Sequence, residues 1–303
     1  MRAPIALVGI GKIARDQHVP ALAASPDWAL AATVSRHGRV EGVDAFERMV
    51  AFLAARPDVG AVSLALPPQP RFAHAEAALK AGRHVMLEKP PGQTLAEVHA
   101  LERLARERGL TLYATWHSRM GKGVAAARDW LAGRAIRGGR ITWMEDVRHW
   151  HPGQDWVFEP GGMGVFDPGI NALSVLTAIL PEPVHLIEAD LDVPANRQTP
   201  IAARLLFTGG IAMELDWLFP GEPLWDIEIE TDGGTLLLRE GGNRLFVNGE
   251  EQEGSAEGEY PALYRRFAEL VRAGECEVDL SPMVHVADAL TLGRRRVVDR
   301  FDF

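Results

Sequence analysis

Ile5-Ala6-Leu7-Val8-Gly9-Ile10-Gly11-Lys12-Ile13-Ala14 decides the fold of this 303-residue chain. A short aliphatic run with strand character enters G-x-G-x-x-A, and a helical pattern follows, which is the context a dinucleotide fingerprint requires. Gly9 permits the tight turn, Gly11 lets a pyrophosphate approach the backbone, and Ala14 lets the helix close on the strand. The helix N-terminus then favours an anion. Gly9, Ile10, Gly11, Lys12 and Ile13 are therefore expected to line a cofactor. A glycine-rich turn without a ligand is the competing reading, and the downstream sequence weighs against it.

Strand-like runs fall near residues 5–9, 30–34, 61–66, 84–87 and 110–115. They alternate with helical patterns at 45–55, 72–80 and 95–108, the last followed by Gly109 where helices favour glycine. This is the rhythm of βαβ units feeding a doubly wound parallel sheet, so residues 1–116 are expected to form a Rossmann-type dinucleotide-binding domain. The rhythm then changes. A helix near 124–132 precedes a long strand at 139–149, a loop rich in Gly and Pro at 152–164 and a helix at 168–179. Alternating runs at 201–207, 212–217, 225–231, 235–239 and 244–247 are separated by Gly-Gly turn signals. Residues 117–303 are thus expected to form an α+β substrate-binding domain with a mostly antiparallel open sheet. Helices at 261–273 and 282–298 close the chain, and the last is assignable to either lobe.

Composition narrows the function classes. The chain is 47% hydrophobic and 24% charged, with no apolar run of membrane-spanning length, so a soluble protein without a membrane partner is expected. A formal net charge of -9 offers no general attraction for nucleic acid. The lone Cys276 has no disulfide partner, and its Glu-Cys-Glu setting discourages thiolate formation. Met1 leads almost directly into the first strand with no charged, apolar and small-residue leader, from which a cytoplasmic location is expected.

The end of the second strand bears on which nicotinamide cofactor is used. An acidic residue there would accept hydrogen bonds from the ribose 2′-hydroxyl, but this strand ends Val34-Ser35-Arg36-His37. A hydroxyl, a guanidinium and an imidazole suit a 2′-phosphate, so NADP is expected, with NAD used less efficiently. Leu66-Pro67 and Glu88-Lys89-Pro90-Pro91 also follow predicted strands at their carboxyl ends, where open α/β sheets hold ligands. Leu66, Pro67, Glu88 and Lys89 join Ser35, Arg36 and His37 as expected cofactor contacts.

GIGKIA, the Ser-Arg strand end, LPP at residues 66–68, EKP at 88–90 and GGMGVFDPGIN at 161–171 together resemble the glucose–fructose oxidoreductase and inositol dehydrogenase family. The resemblance covers nearly the whole chain. WHSR at 116–119 and RHWHPGQDW at 148–156 are the more specific strings, and they resemble members that oxidise L-arabinose or D-galactose at C1. The resemblance implies an enzyme, an NAD(P)-dependent aldose 1-dehydrogenase, with Lys89 beside nicotinamide and substrate. Oxidation at C1 sends a hydride to the cofactor and a proton to a base. A lysine amine ordinarily keeps its proton at neutral pH, and burial beside a cationic ring favours the neutral, basic form.

Asp167 and Asn171 flank a helix start, with Asp167 expected at the N-cap and Pro168 at the first helical position, one turn from Asn171 on the same face. The resemblance assigns both to the sugar, with Asp167 catalytic beside Lys89, and adds His117, Glu145, Trp150, His151 and Trp225 as sugar contacts. Strand alternation through 139–149 would put Glu145, His149 and His151 on one face and Trp150 on the other, so the two readings conflict unless the strand ends early. Glu145, His149 and His151 raise the thought of a metal, but there is no H-E-x-x-H helix or cysteine cluster, and hydride transfer needs none; no metal is expected. The expected product is the aldonolactone of L-arabinose or D-galactose. Alternatives on the same fold are a dehydrogenase of another ring carbinol or a non-catalytic NAD(P)-sensing regulator. The family's open sheet face implies a homodimer.

Overall fold

The computed structural model describes residues 2–303. By internal contacts the chain forms two units, residues 1–117 with 257–280, and residues 118–256 with 281–303. The first is a six-stranded parallel sheet built from β1 (Ala3–Val8), β2 (Trp28–Val34), β3 (Asp44–Phe46), β4 (Ala61–Leu64), β5 (His84–Leu87) and β6 (Leu112–Ala114). Its order is β3-β2-β1-β4-β5-β6, so direction along the sheet reverses beside β1, the switch point at which such folds hold nucleotides. Ile5, Ala6, Leu7, Val62, Leu64, Val85, Met86 and Leu87 are fully buried, as expected for central strands covered on both faces.

The chain leaves β1 through a π-helical turn, Ala14–His18, and α1 (Val19–Ala24); β3 and α2 (Met49–Ala55) occupy the stretch where a single helix at 45–55 was expected. α3 (Pro68–Lys80) and α4 (Leu95–Glu107) complete the layers, α4 opening on a Thr94–Glu97 capping box and followed by Gly109 in the left-handed region.

In the second unit, α5 (Val124–Leu131) precedes β7 (Ile136–Met144). The strand ends there rather than at His149, because Asp146 accepts from the Arg148 backbone and starts the short helix α6 (Val147–Trp150). α7 (Phe166–Ile179) starts two residues before the expected Pro168, on Val165, with no side-chain cap; Asp167 lies within its first turn rather than at the cap. Then come β8 (Leu186–Pro194), β9 (Ala202–Phe207), β10 (Ile211–Asp216), β11 (Leu224–Thr231), β12 (Gly234–Arg239), β13 (Arg244–Val247) and β14 (Glu250–Gln252), largely as hairpins.

The next helix, α8 (Glu259–Ala273), returns to the first unit. Trp28 stacks on its Phe267 and donates its indole N–H to the Tyr264 carbonyl at 2.9 Å. A single division at 116/117 omits this return. α9 (Ser281–Leu292) packs on α7 and belongs to the second unit. It stops before Gly293, and residues 294–298, expected as helix, form β15 (Arg294–Val298), parallel to β8 with Arg294 and Arg296 paired to Asp190 and Asp192. The nine-stranded sheet runs β14-β13-β12-β11-β7-β10-β9-β8-β15, antiparallel except at β7/β10 and β8/β15. Among the described residues no helix is long and apolar enough to cross a membrane.

Candidate active site

On the first unit the expected cofactor residues all follow carboxyl ends of neighbouring strands: 9–13 after β1, 35–37 after β2, 66–67 after β4 and 88–89 after β5. The two fingerprint glycines have different reasons to be glycine. Gly9 has φ +88°, and an added Cβ would strike Leu66 and Ala65. Gly11 is exposed, has no left-handed φ, and an added Cβ would meet nothing within 4 Å. The protein itself therefore places no demand for glycine there, which fits a position kept bare for a cofactor's pyrophosphate. Ile10 is buried, whereas Lys12 and Ile13 are exposed on the opening turn, with the Lys12 ammonium paired to Asp16.

Ser35 turns its hydroxyl inward to accept from Gly38 N–H at 3.1 Å, and Arg36 and His37 are exposed on that turn. Gly38, not singled out in the sequence, packs so tightly on Ile10 that a Cβ would overlap it at 2.5–2.6 Å. This close approach fixes the Arg36 turn against the glycine loop. Its only sequence signal was a glycine two residues beyond the arginine.

Glu88 is buried and its carboxylate is turned into the unit. Tyr260 Oη donates to Oε1 at 2.6 Å, Lys89 N–H donates to Oε2 at 2.5 Å, and His18 Nε2 lies 3.4 Å from Oε1. Burial alone would raise the Glu88 carboxyl. The His18 ring at 3.4 Å, the charge of His117 and the Tyr260 hydroxyl outweigh burial and hold it well below the usual range. Burial and the Glu88 charge push the Tyr260 phenol well above its ordinary value. Arg71, fully buried, donates from its guanidinium to the carbonyls of Leu66, Glu88 and Pro90. Lys89 itself is half-buried. His117, after β6, contacts Glu259 Oε2 at 2.8 Å and stacks on Tyr260.

On the second unit Glu145, His151, Asp167 and Trp225 meet. Glu145 is buried, with Oε1 accepting from Trp217 Nε1 at 3.1 Å and Oε2 from Trp225 Nε1 at 2.9 Å. Trp225 stacks on Trp143 with centroids 6.0 Å apart and meets Trp150 at 5.8 Å, so the end of β7 at Met144 lets Glu145 and Trp150 serve one neighbourhood. Trp150 is 38% exposed, an unusual indole surface for water to meet. Trp217, which the sequence reading missed, is fully buried and edges against His151 at 5.5 Å.

His151 Nε2 lies 3.2 Å from Asp167 Oδ2. Its Nδ1 faces Gln154 Oε1 at 3.3 Å, and that oxygen already accepts from Trp156 Nε1 at 3.1 Å. An amide oxygen in that position accepts from the ring, which leaves Nε2 as the nitrogen that faces the Asp167 carboxylate. Asn171 lies one turn after Asp167 on α7 and is half-buried. Among the described residues no group of three or more His, Cys, Asp or Glu is arranged to hold a metal ion.

The model of an oxidoreductase family with an NAD-binding Rossmann fold matches residues 4–115. Galactose 1-dehydrogenase from Pseudomonas fluorescens is 42% identical over 301 residues, 98% of each chain. The crystal structure of a D-galactose-1-dehydrogenase protein from Rhizobium etli is 50% identical, with TM-score 0.95 over 99% of this chain and 98% of that one. A 3-ketoreductase from Actinomadura kijaniata, solved with NADP and TDP-benzene, covers both chains completely with TM-score 0.81 at 21% identity, a likeness of fold alone. With its fingerprint, its parallel sheet order and a full-length relative at this identity, the chain belongs to the glucose–fructose oxidoreductase and inositol dehydrogenase family of oxidoreductases.

Proposed function

We propose that the protein is an NADP-dependent aldose 1-dehydrogenase that oxidises C1 of D-galactose and L-arabinose to the aldonolactone. The observation that carries the reading is the Asp167–His151 pair, which the Trp217 ring links to the Glu145 carboxylate that also holds Trp225, in a chain whose full-length relatives bear the galactose 1-dehydrogenase name. Aromatic faces suit the C–H surface of a pyranose, and fixed polar groups suit its hydroxyls.

Residues 9–13 would hold the pyrophosphate, Ser35, Arg36 and His37 the 2′-phosphate end, and Leu66, Pro67 and the backbone at Glu88 the remainder. The bound nicotinamide supplies the hydride acceptor. Lys89 on the first unit and Asp167 on the second are the two candidate acceptors of the C1 hydroxyl proton, and His151 stands behind Asp167 as the next group along. Asn171, His117 and Glu145, with Trp225 held by Glu145, orient the sugar. D-galactose and L-arabinose share ring configuration from C1 to C4 and differ by the exocyclic CH₂OH, so one pocket accepts both. The protein acts in the cytoplasm, as a homodimer.

The test is an initial-rate panel of aldoses with NADP and with NAD. Galactose and arabinose should react far faster than glucose, whose C4 hydroxyl is inverted; a site built to bond a hydroxyl discriminates by up to about 10⁴–10⁵ when the group is missing, and by less when it is inverted. Equal rates on glucose and galactose would refute the pocket assignment, and no cofactor reduction with any aldose would refute the activity.

A further inference from the structure

A string of polar groups runs through the interior of the first unit without belonging to the proposed sugar or cofactor contacts, apart from Glu88 itself. Ser63 Oγ lies 3.1 Å from Tyr264 Oη, Tyr264 Oη lies 2.7 Å from His18 Nδ1, His18 Nε2 lies 3.4 Å from Glu88 Oε1, and Tyr260 Oη donates to that same oxygen at 2.6 Å. Ser63, His18, Glu88, Tyr260 and Tyr264 are all buried. Burying a carboxylate among aromatic rings is costly unless it is well bonded, and the cost recurs in every copy of the chain.

Three separate pieces of backbone are shaped to make this network. The π-helical turn Ala14–His18, with Val19 N–H bonded to the Ala14 carbonyl, carries His18 to a buried position; π-turns inside helices are frequent at functional sites. α8 returns to the first unit and presents Tyr260 and Tyr264, four residues apart on one helix face. β5 ends at Leu87, and the next residue is Glu88.

All of it converges on the peptide that carries Lys89. Glu88 Oε2 accepts the Lys89 backbone N–H at 2.5 Å, while the Arg71 guanidinium holds the carbonyls of Glu88 and Pro90, on either side of Lys89. The backbone from which the amine projects is therefore gripped at its N–H by a carboxylate and at the flanking carbonyls by a guanidinium. A hydrogen bond to a charged group is among the stronger ones, and Tyr260 and His18 keep the Glu88 carboxylate in place to make it.

We propose that Tyr260 and His18, acting through Glu88, are positioning residues for Lys89, and that α8 returns to the first unit to supply them. This rests on reading Lys89 as the group that acts beside the nicotinamide. The expectation follows from geometry: a displacement of about 1 Å in a reacting group costs about 10²-fold in rate, while most of the proposed cofactor contacts, residues 9–13, 35–37, 66 and 67, lie outside the network.

Tyr260→Phe removes one hydroxyl and keeps the ring, so it is the variant that preserves the fold; Glu88→Gln is the harsher companion. With NADP and the best aldose, Tyr260→Phe should lower kcat by about tenfold to a hundredfold, with the sugar KM and the NADP dissociation constant within about twofold. The decisive measurement repeats the change in a Lys89→Met background. If Tyr260 acts through Lys89, its removal there should cost less than about twofold, because the group it positions is gone. An equal loss in both backgrounds, a kcat for Tyr260→Phe within about twofold of the unmodified protein, or a loss confined to NADP binding would each overturn the proposal. Near-normal kcat in Lys89→Met alone would instead overturn the reading of Lys89 on which it rests.

Discussion

Replacing Glu145 by glutamine should loosen one tryptophan and leave another in place. The carboxylate accepts two indole N–H groups, one on each oxygen, from Trp217 at 3.1 Å and from Trp225 at 2.9 Å. Glutamine has one oxygen and an amide NH₂, so one indole N–H must face another donor. Trp217 is fully buried and has no access to water, whereas Trp225 is half-buried. The amide should therefore give its oxygen to Trp217 and abandon Trp225. A buried donor left without its acceptor costs about 1–3 kcal/mol, and the partial exposure of Trp225 puts the stability loss at the lower end, about 1–2 kcal/mol in urea unfolding. Trp225 then has to be ordered on sugar binding, at about 0.5–1.5 kcal/mol for an immobilised side chain, so KM for galactose should rise about two- to tenfold with little change in kcat. Equilibrium urea unfolding and steady-state kinetics read the two effects. Unchanged stability together with unchanged KM would refute the orienting role of Glu145, and a collapse of kcat at constant KM would mean that the carboxylate acts on the reacting centre.

Arg36→Ala should weaken NADP by about tenfold in kcat/KM and leave NAD nearly unchanged: a hydrogen bond to a charged group is worth about 1.5–3 kcal/mol, and the exposure of Arg36 favours the lower figure. Equal weakening of both cofactors, measured by initial rates, would remove Arg36 from the 2′-phosphate. Lys89→Met and Asp167→Asn should each depress kcat, Lys89→Met by about 10²–10⁴, and a larger loss at Asp167 would identify the carboxylate as the proton acceptor. The Glu88 carboxyl is held below its ordinary value in the fold, so its contribution to stability is complete above about pH 4.5 and is lost as pH falls towards the depressed native value. The stability gap between the unmodified protein and Glu88→Gln should accordingly be larger at pH 7 than at pH 3.5 in urea unfolding, and a gap that widens on acidification would contradict the assignment.

Local pattern carried the sequence reading where it succeeded. The apolar run before G-x-G-x-x-A, the strand–helix rhythm to residue 115 and the Gly-Gly punctuated runs after residue 200 all depend on neighbours in sequence, and the two sheets follow them. The misses depend on distant partners. Residues 145–151 alternate like a strand, and Asp146 as a cap ends it; Arg294–Val298 reads as helix until Asp190 and Asp192 on β8 offer partners to its arginines. No spacing joins His18 to Tyr260 and Tyr264, some 240 residues away, or Trp217 to Glu145. Trp217 had one faint signal, an aromatic closing the alternating run at 212–217. Gln154 was hidden inside a string read for its tryptophans and histidines, although its amide oxygen faces His151 Nδ1 and accepts from Trp156.

The proposed activity transfers hydrogen from C1 of a galacto-configured aldose to a nicotinamide cofactor. The most direct measurement uses D-galactose carrying deuterium at C1, with NADP and the purified protein, followed by mass spectrometry of both products. Transfer from C1 puts one deuterium in the reduced cofactor and none in the sugar product, which should be an alkali-labile lactone trapped by hydroxylamine. Reduced cofactor without deuterium, from a sugar product that keeps its C1 label, would place the oxidation at another carbon and contradict the claim.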